Sequence, residues 1–506
     1  MSNTRRIAKN TLMLYCRQIF IMLVSLYTVR VVLNTLGAED YGVYHVVAGV
    51  VTMFGVLNGI MAAALQRYFS FEIGRDDFER LEKIFSLSIT IYVLIIVLVL
   101  LMGETIGLWY VNKKLILPIE RKKIAVIIYQ FSILSFMFSI ITTPYMAMII
   151  AREDMNIYAY VSIIEAGMKL VAVFLLRFLC FDKLLLYGIL MCAVVFINTG
   201  IYRTICMRKY HECKFRFYWD KRLFKEIAGY TGWHLFGAFG GISKYQGITI
   251  LLNQFFNPLI VAASTIAGSI NATVSSFSNN FIVAIQPQII KNYAAGKKDE
   301  ALQITFRGAK GAYFLMYLFV LPLMLEMPLV LSLWLKNPPE YAELFTRLVL
   351  IDVLVNSIGL LLGTVVQATG KIKLWNSLLG GIQIFNFPVS LLLLRLGAPA
   401  YSVVLVSIGI TLSVFILRFP LLKRLVVYSI KQFFKRVVLP ICIVSVISAI
   451  LPIILHSSMN QSFLRLFMVI CVSGLSTCMC IYFFGLDSTE QKILQREIKK
   501  RIRHTR

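Results

Sequence analysis

Ile84-Phe-Ser-Leu-Ser-Ile-Thr-Ile-Tyr-Val-Leu-Ile-Ile-Val-Leu-Val-Leu-Leu-Met102 runs without a charge for the length a helix needs to cross about 30 Å of hydrocarbon. Stretches like it recur on either side until they fill most of the 506 residues. The composition agrees: 58% of the chain is apolar and 15% is charged, where a soluble domain carries about 25% charge. In hydrocarbon every backbone N–H and C=O must be satisfied within the span, so these runs predict an all-α integral membrane protein. Fourteen spans are expected, at 12–36, 41–65, 84–102, 124–150, 157–180, 184–206, 227–252, 259–286, 311–335, 345–368, 374–396, 400–420, 437–456 and 464–486. The loops between them reach only about 20 residues, too short for a separate catalytic or nucleotide-binding domain.

The net charge of +26 would point to nucleic acid in a soluble protein. Here the bases sit in short loops on alternate sides of successive spans, the pattern of the positive-inside rule, and no nucleic-acid partner is expected. With Arg5, Arg6 and Lys9 inside, the segments 208–225, 291–310, 418–436 and 492–506 are inside too, and both termini are cytoplasmic. The main outside cluster is Lys113, Lys114, Arg121, Lys122 and Lys123. The first apolar stretch lacks a cleavage site and is retained as the first helix. Trp109, Tyr110, Trp219, Trp233, Trp334 and Trp375 stand near span ends, where amphipathic rings prefer the headgroup layer. In the tail, Ser488 and Gln491 could form a capping box, and Leu494, Ile498 and Ile502 line one face among bases, which predicts a helix lying on anionic membrane lipid. The nine cysteines show no disulfide framework, and Cys206, His211 and Cys213 lack a fourth ligand, so no metal is expected. Phosphate-loop, zinc-protease and serine-hydrolase signatures are missing, so the expectation is a transporter without a cofactor and not an enzyme.

The chain also repeats itself. Ala151-Arg-Glu-Asp-Met-Asn-Ile-Tyr158 matches Ala368-Thr-Gly-Lys-Ile-Lys-Leu-Trp375 in pattern, Gly74-Arg-Asp-Asp77 matches Gly296-Lys-Lys-Asp299, and Leu-Leu-Arg177 matches Leu-Leu-Arg395. Spans one to six therefore resemble spans seven to twelve, two parallel repeats because each holds an even number of crossings. The expected organisation is an N-lobe over 1–206, a basic linker over 207–226, a C-lobe over 227–426, two further helices over 427–486 and a basic tail over 487–506.

Charge inside a span costs at least about 2.5 kcal/mol at the bilayer centre and therefore marks candidate function. Arg17, Arg30, Lys169, Arg177, Arg203 and Lys244 stand against Glu165, Glu326 and Asp352. Arg177 and Arg203 lie near span ends, where they can snorkel. Glu165 and Lys169 are spaced to pair on one helix face. The excess of bases suits an anionic ligand such as phosphate or diphosphate, with Arg17, Arg30, Lys169 and Lys244 as candidate binding residues. Glu165, Glu326 and Asp352 are candidates for coupling to H+ or Na+. Span eight carries Ser264, Asn271, Ser275, Ser278 and Asn279 along one face, suited to water or sugar. Pro144, Pro287 and Pro388 are candidate kinks.

Asn10-Thr11, Arg30, Leu36-Gly37-Ala38, Tyr41-Gly42, Asn58-Gly59, Gln66-Arg67 and Gln286-Pro287-Gln288-Ile289 resemble the polysaccharide-biosynthesis flippases, which handle O-antigen and capsule repeat units, of the multidrug/oligosaccharidyl-lipid/polysaccharide exporter superfamily. The resemblance implies two six-helix lobes forming a V, with two extra C-terminal helices. It further implies that lipid-linked oligosaccharide, carried on undecaprenyl diphosphate, moves from the inner to the outer leaflet of the bacterial cytoplasmic membrane. Arg17, Arg30 and Lys244 would hold the diphosphate, and Asn271, Ser275 and Asn279 would meet sugars. A polysaccharide polymerase and a chain-length regulator are implied partners. Two departures narrow the substrate: Tyr41 to Leu65 carries only His45, unlike lipid II flippases, and the first helix holds bases where cation antiporters often place a carboxylate. The alternatives are an ion-coupled multidrug or small amphipathic solute exporter and a non-transporting scaffold for glycan assembly.

Overall fold

The structure is a computed structural model that describes residues 3–52, 55–113, 119–178, 182–256, 258–335, 338–426, 429–487, 490, 491 and 495. Its elements are all helices joined by short turns, with no strand among these residues. The elements are α1 (Asn3–Thr52), α2 (Gly55–Arg75), α3 (Phe78–Met102), α4 (Leu108–Lys113), α5 (Lys122–Ala151), α6 (Met155–Phe178), α7 (Lys183–Lys209), α8 (Lys221–Phe255) and α9 (Pro258–Ala294). They continue with α10 (Lys298–Leu335), α11 (Ala342–Thr369), α12 (Ile372–Ile384), α13 (Asn386–Arg395), α14 (Ser402–Leu425), α15 (Ile430–Phe433), α16 (Leu439–Ser458) and α17 (Phe463–Cys480).

Eleven helices among the described residues are long and apolar enough to cross a membrane. The other three expected spans fall in α1, α2 and α8, where glycine, polar and charged residues dilute the apolar runs. The first two spans part at Gly37, whose φ of 83° and ψ of 165° break α1 in a region open mainly to glycine. Helix starts follow local capping chemistry. Asp77 accepts from the Arg80 N–H at 3.0 Å to open α3, and Asp182 accepts from the Leu185 N–H at 3.0 Å to open α7. Of the expected kinks, Pro144 and Pro287 lie inside α5 and α9, while Pro388 follows a break at Phe385 that divides one expected span into α12 and α13. A further break, at Glu326 in α10, falls between Pro322 and Pro328, each of which removes a backbone donor.

The sequence echoes coincide with helix boundaries. Glu153 ends α5 with a φ of 63°, and Gly370, 217 positions later, ends α11 with a φ of 76°. Asp76 and Gly296, with φ values of 58° and 81°, do the same between α2 and α3 and between α9 and α10. A left-handed residue there lets the next helix start at once. Glycine adopts it freely; Glu153 is held in it by its neighbours, accepting from Asn10 Nδ2 at its carbonyl (3.3 Å) and from Lys291 Nζ at its carboxylate (2.7 Å).

The chain divides into two compact units, one of Met1–Leu235 with Ile290–Lys297, the other of Phe236–Ile289 with Lys298–Arg506. In the first, Val43, Val47, Ile128, Tyr129, Ile133 and Leu184 form a core joining α1, α5 and α7. In the second, Leu251, Ala263, Met327, Phe345, Leu350 and Val403 join α8, α9, α10, α11 and α14. Small residues permit close approach there: a Cβ placed on Gly240 of α8 would lie 2.4 Å from the Gly380 carbonyl of α12. Helices α16 and α17 are tied to α10, because buried Glu326 accepts from Arg465 Nη2 at 2.9 Å and lies 2.8 Å from His456 Nδ1. Ser488 and the apolar face Leu494, Ile498 and Ile502 of the expected tail helix lie outside the described residues.

Candidate substrate cavity

Within the first unit, α1, α5, α6 and α7 surround a cavity of about 440 Å³. Its polar wall is built by helical spacing. Ser132, Ser135 and Ser139 lie at i, i+3 and i+7 on α5, and Ser25 and Thr28 lie at i and i+3 on α1. Ser132 and Ser135 spend their hydrogens on carbonyls one turn back, at 2.8 and 2.7 Å, and so present lone pairs outward. Tyr44 and Tyr187 close one side edge to face, with ring centroids 4.6 Å apart, and Val32, Val51, Phe131 and Phe136 supply apolar surface.

Among the described residues, Lys169 of α6 is the one charged residue in this lining. Its Nζ lies 2.6 Å from Glu165 Oε1, and Asn198 Nδ2 of α7 donates to Glu165 Oε2 at 3.0 Å. The ammonium keeps 44% of its side-chain surface exposed, so Glu165 holds it without enclosing it. Among the described residues Glu165 takes one of its three hydrogens, which leaves two to be directed into the cavity. On the same face of α1 as Thr28, three turns away, Arg17 is buried and lies 4.6 Å over the Tyr158 ring. Arg30 belongs to α1, but its side chain lies outside the described residues.

The remaining expected site residues belong to the second unit. Lys244, expected to hold a substrate, and Asp352, expected to serve a coupling ion, are paired with each other: Lys244 Nζ donates to Asp352 Oδ2 at 2.8 Å and to Thr411 Oγ1 at 2.7 Å. Thr411 in turn donates to Asp352, which closes a buried three-membered network of α8, α11 and α14. Glu326 is committed to His456 and Arg465. On α9, Ser275 Oγ donates to Asn271 Oδ1 at 2.8 Å and Asn279 is exposed, while Ser278 is buried. The structure therefore brings together Glu165 and Lys169 in the first unit, with Arg17 apart from them on Tyr158, and Lys244 and Asp352 in the second.

Several participants were not singled out from the sequence. Asn198 and Thr411 complete networks whose other members lie far away along the chain. Arg418, which sequence reading places at the basic end of its span, is buried in α14, reaching Asn356 Oδ1 at 3.4 Å and packing so tightly on Gly359 that no Cβ would fit there. The serine stripe of α5 did carry a signal, the i, i+3, i+7 spacing.

No family model matches the chain, and no curated protein matches its sequence. Solved structures do match its fold. An outward-facing multidrug resistance MATE family transporter of the MOP superfamily is 13% identical, with a TM-score of 0.70 over 84% of this chain and 96% of that one. The MATE transporter ClbM in complex with Rb+ is 17% identical, with a TM-score of 0.67 over 84% and 96%. A MOP superfamily transporter from Pyrococcus furiosus, described as having a binding pocket of reverse polarity that suggests a different function, is 12% identical, with a TM-score of 0.64 over 84% and 99%. The chain has the fold of the MATE transporters.

Proposed function

We propose that the protein is a flippase that moves an oligosaccharide linked to undecaprenyl diphosphate from the inner to the outer leaflet of a bacterial cytoplasmic membrane, for assembly of surface polysaccharide. The observation that carries this reading is the cavity of the first unit, where, among the described residues, one lysine stands among hydroxyls and no carboxylate forms part of the lining. A diphosphate carries two negative charges where the carboxylate now beside Lys169 carries one, and the serine hydroxyls, whose hydrogens are spent on the helix, can accept from sugar hydroxyls. The lipid tail needs no protein pocket, since it can stay in the bilayer. The fold supports transport by alternating access, which requires no cofactor. Moving one negative charge outward across an inside-negative membrane gains about 2.3 kcal/mol per 100 mV, part of which a travelling cationic grip cancels.

A second reading, ion-coupled export of a small amphipathic solute, draws support from Glu165, a carboxylate at the cavity edge that a coupling ion could use. Export of surface glycan by cells that depend on this chain separates the two. At normal protein levels, Lys169→Gln lowers export roughly tenfold or more, the loss of a charge-assisted contact, while Glu165→Gln is tolerated. Full export by Lys169→Gln together with loss in Glu165→Gln would favour the ion-coupled exporter.

A further inference from the structure

A second cavity, of about 670 Å³, lies in the other unit, lined among the described residues by four bases and Asp487, with two glutamines and a phenylalanine. Arg307 and Lys310 line it from the first turns of α10, and Lys435 and Arg436 line it from the turn that links α15 to α16. Both pairs stand where their helices enter apolar sequence: residues 311–325 carry no charge, nor do residues 437–455. Phe306 also lines it, and behind Phe306 the Phe433 ring lies 5.3 Å away, with Phe419 5.4 Å from Phe433.

One anion already shows how the bases can be bridged. The Glu490 carboxylate spans Arg307 Nε at 3.3 Å and Lys310 Nζ at 2.9 Å, and also accepts from the Asp487 N–H at 2.8 Å. Lys435 and Arg436 are exposed and have no ion pair among the described residues. Beside them, Phe434 and Leu439 are exposed, and the apolar face continues along α16 through Val446. A ligand suited to this arrangement has a negatively charged, oxygen-rich head and a long apolar body.

We propose that this pocket binds the phosphate headgroup of an anionic glycerophospholipid, with Lys435 and Arg436 gripping the phosphate and the acyl chains lying along α16. Basic pockets at the edge of helix bundles hold such headgroups by the same combination of charge and depth. Glu490 competes for Arg307 and Lys310, so binding strengthens when its charge is removed. The inference concerns binding alone and stands whether or not the chain flips oligosaccharide.

The test is lipid retention by the purified full-length protein in mild detergent, read by native mass spectrometry with phosphatidylglycerol and phosphatidylcholine as probes. The wild type is expected to retain phosphatidylglycerol in preference to phosphatidylcholine. Lys435→Gln with Arg436→Gln, both surface changes, is expected to weaken phosphatidylglycerol retention roughly thirtyfold, at about one surface-charge contact per base. Glu490→Gln is expected to tighten it, a gain that a folding defect cannot produce. Equal retention of the two lipids, or unchanged retention in the double variant, overturns the proposal. Full displacement by a few millimolar inorganic phosphate overturns the lipid assignment, and preferential displacement by polyprenyl diphosphate overturns it in favour of the carrier lipid.

Discussion

Lys244 and Asp352 illustrate what a charge costs when it leaves water. Each is at most 5% exposed, and together with Thr411 they satisfy one another. Removing one member leaves the other buried without its countercharge, which costs roughly 3–5 kcal/mol, whereas exchanging both for apolar residues of similar volume is close to neutral. Lys244→Met is therefore expected to lower the free energy of detergent-induced unfolding by that amount, with most of it regained in Lys244→Met/Asp352→Leu. A loss below about 1 kcal/mol in the single variant would show that the network does not hold the unit together. Asp182 tests a charge outside the spans. Burial disfavours its ionised form, but the Leu185 N–H and the Arg121 guanidinium outweigh this and hold its pKa below the ordinary value of 3.8. A depressed carboxyl stabilises the fold above its unfolded pKa, and that contribution disappears as pH falls through the folded value. Asp182→Ala is expected to cost about 1 kcal/mol near neutrality. The gap from wild type narrows as the pH falls below that ordinary value of 3.8. A gap that persists unchanged in acid would assign the effect to packing. The two pairs also differ in how legible they were. Glu165 and Lys169 are four apart, so helix geometry alone brings them together. Lys244 and Asp352 are 108 positions apart and meet only through tertiary packing, which no local periodicity reveals.

At the scale of elements, apolar runs and turn residues determined most boundaries. Each run ends where charge, glycine or a capping aspartate allows the backbone to turn, and the equivalence of Glu153 with Gly370 explains why two otherwise different motifs share one spacing. What stayed hidden was continuity within a span. The break at Glu326 depends on two prolines acting together with a buried ion pair, and the division at Phe385 precedes the proline that marks it. The contact of α8 with α12 was likewise invisible, since it depends on two glycines 140 positions apart that meet at backbone distance. Gly240→Val would insert side-chain carbons where a Cβ already falls 2.4 Å from the Gly380 carbonyl. The expected result is a loss of about 1–3 kcal/mol in unfolding free energy, or separation of the two helices detectable as faster modification of a nearby engineered cysteine. Wild-type stability with unchanged modification would mean that α12 moves aside at no cost.

For the molecule as a whole, composition established a membrane protein, and the repeats led to the expectation of two related halves; the fold is that of solved MATE transporters. Within that fold the sign of charge carries the functional reading: the first unit offers a lysine and hydroxyls, and the second unit spends buried Lys244 on an internal pair. The most direct measurement reconstitutes the purified chain in liposomes with labelled undecaprenyl-diphosphate oligosaccharide and follows exposure of the glycan on the far leaflet. The wild type is expected to flip it well above protein-free liposomes, with the rate falling roughly tenfold or more in Lys169→Gln. Absence of flipping by the wild type, or wild-type rates in Lys169→Gln, would contradict the proposed function.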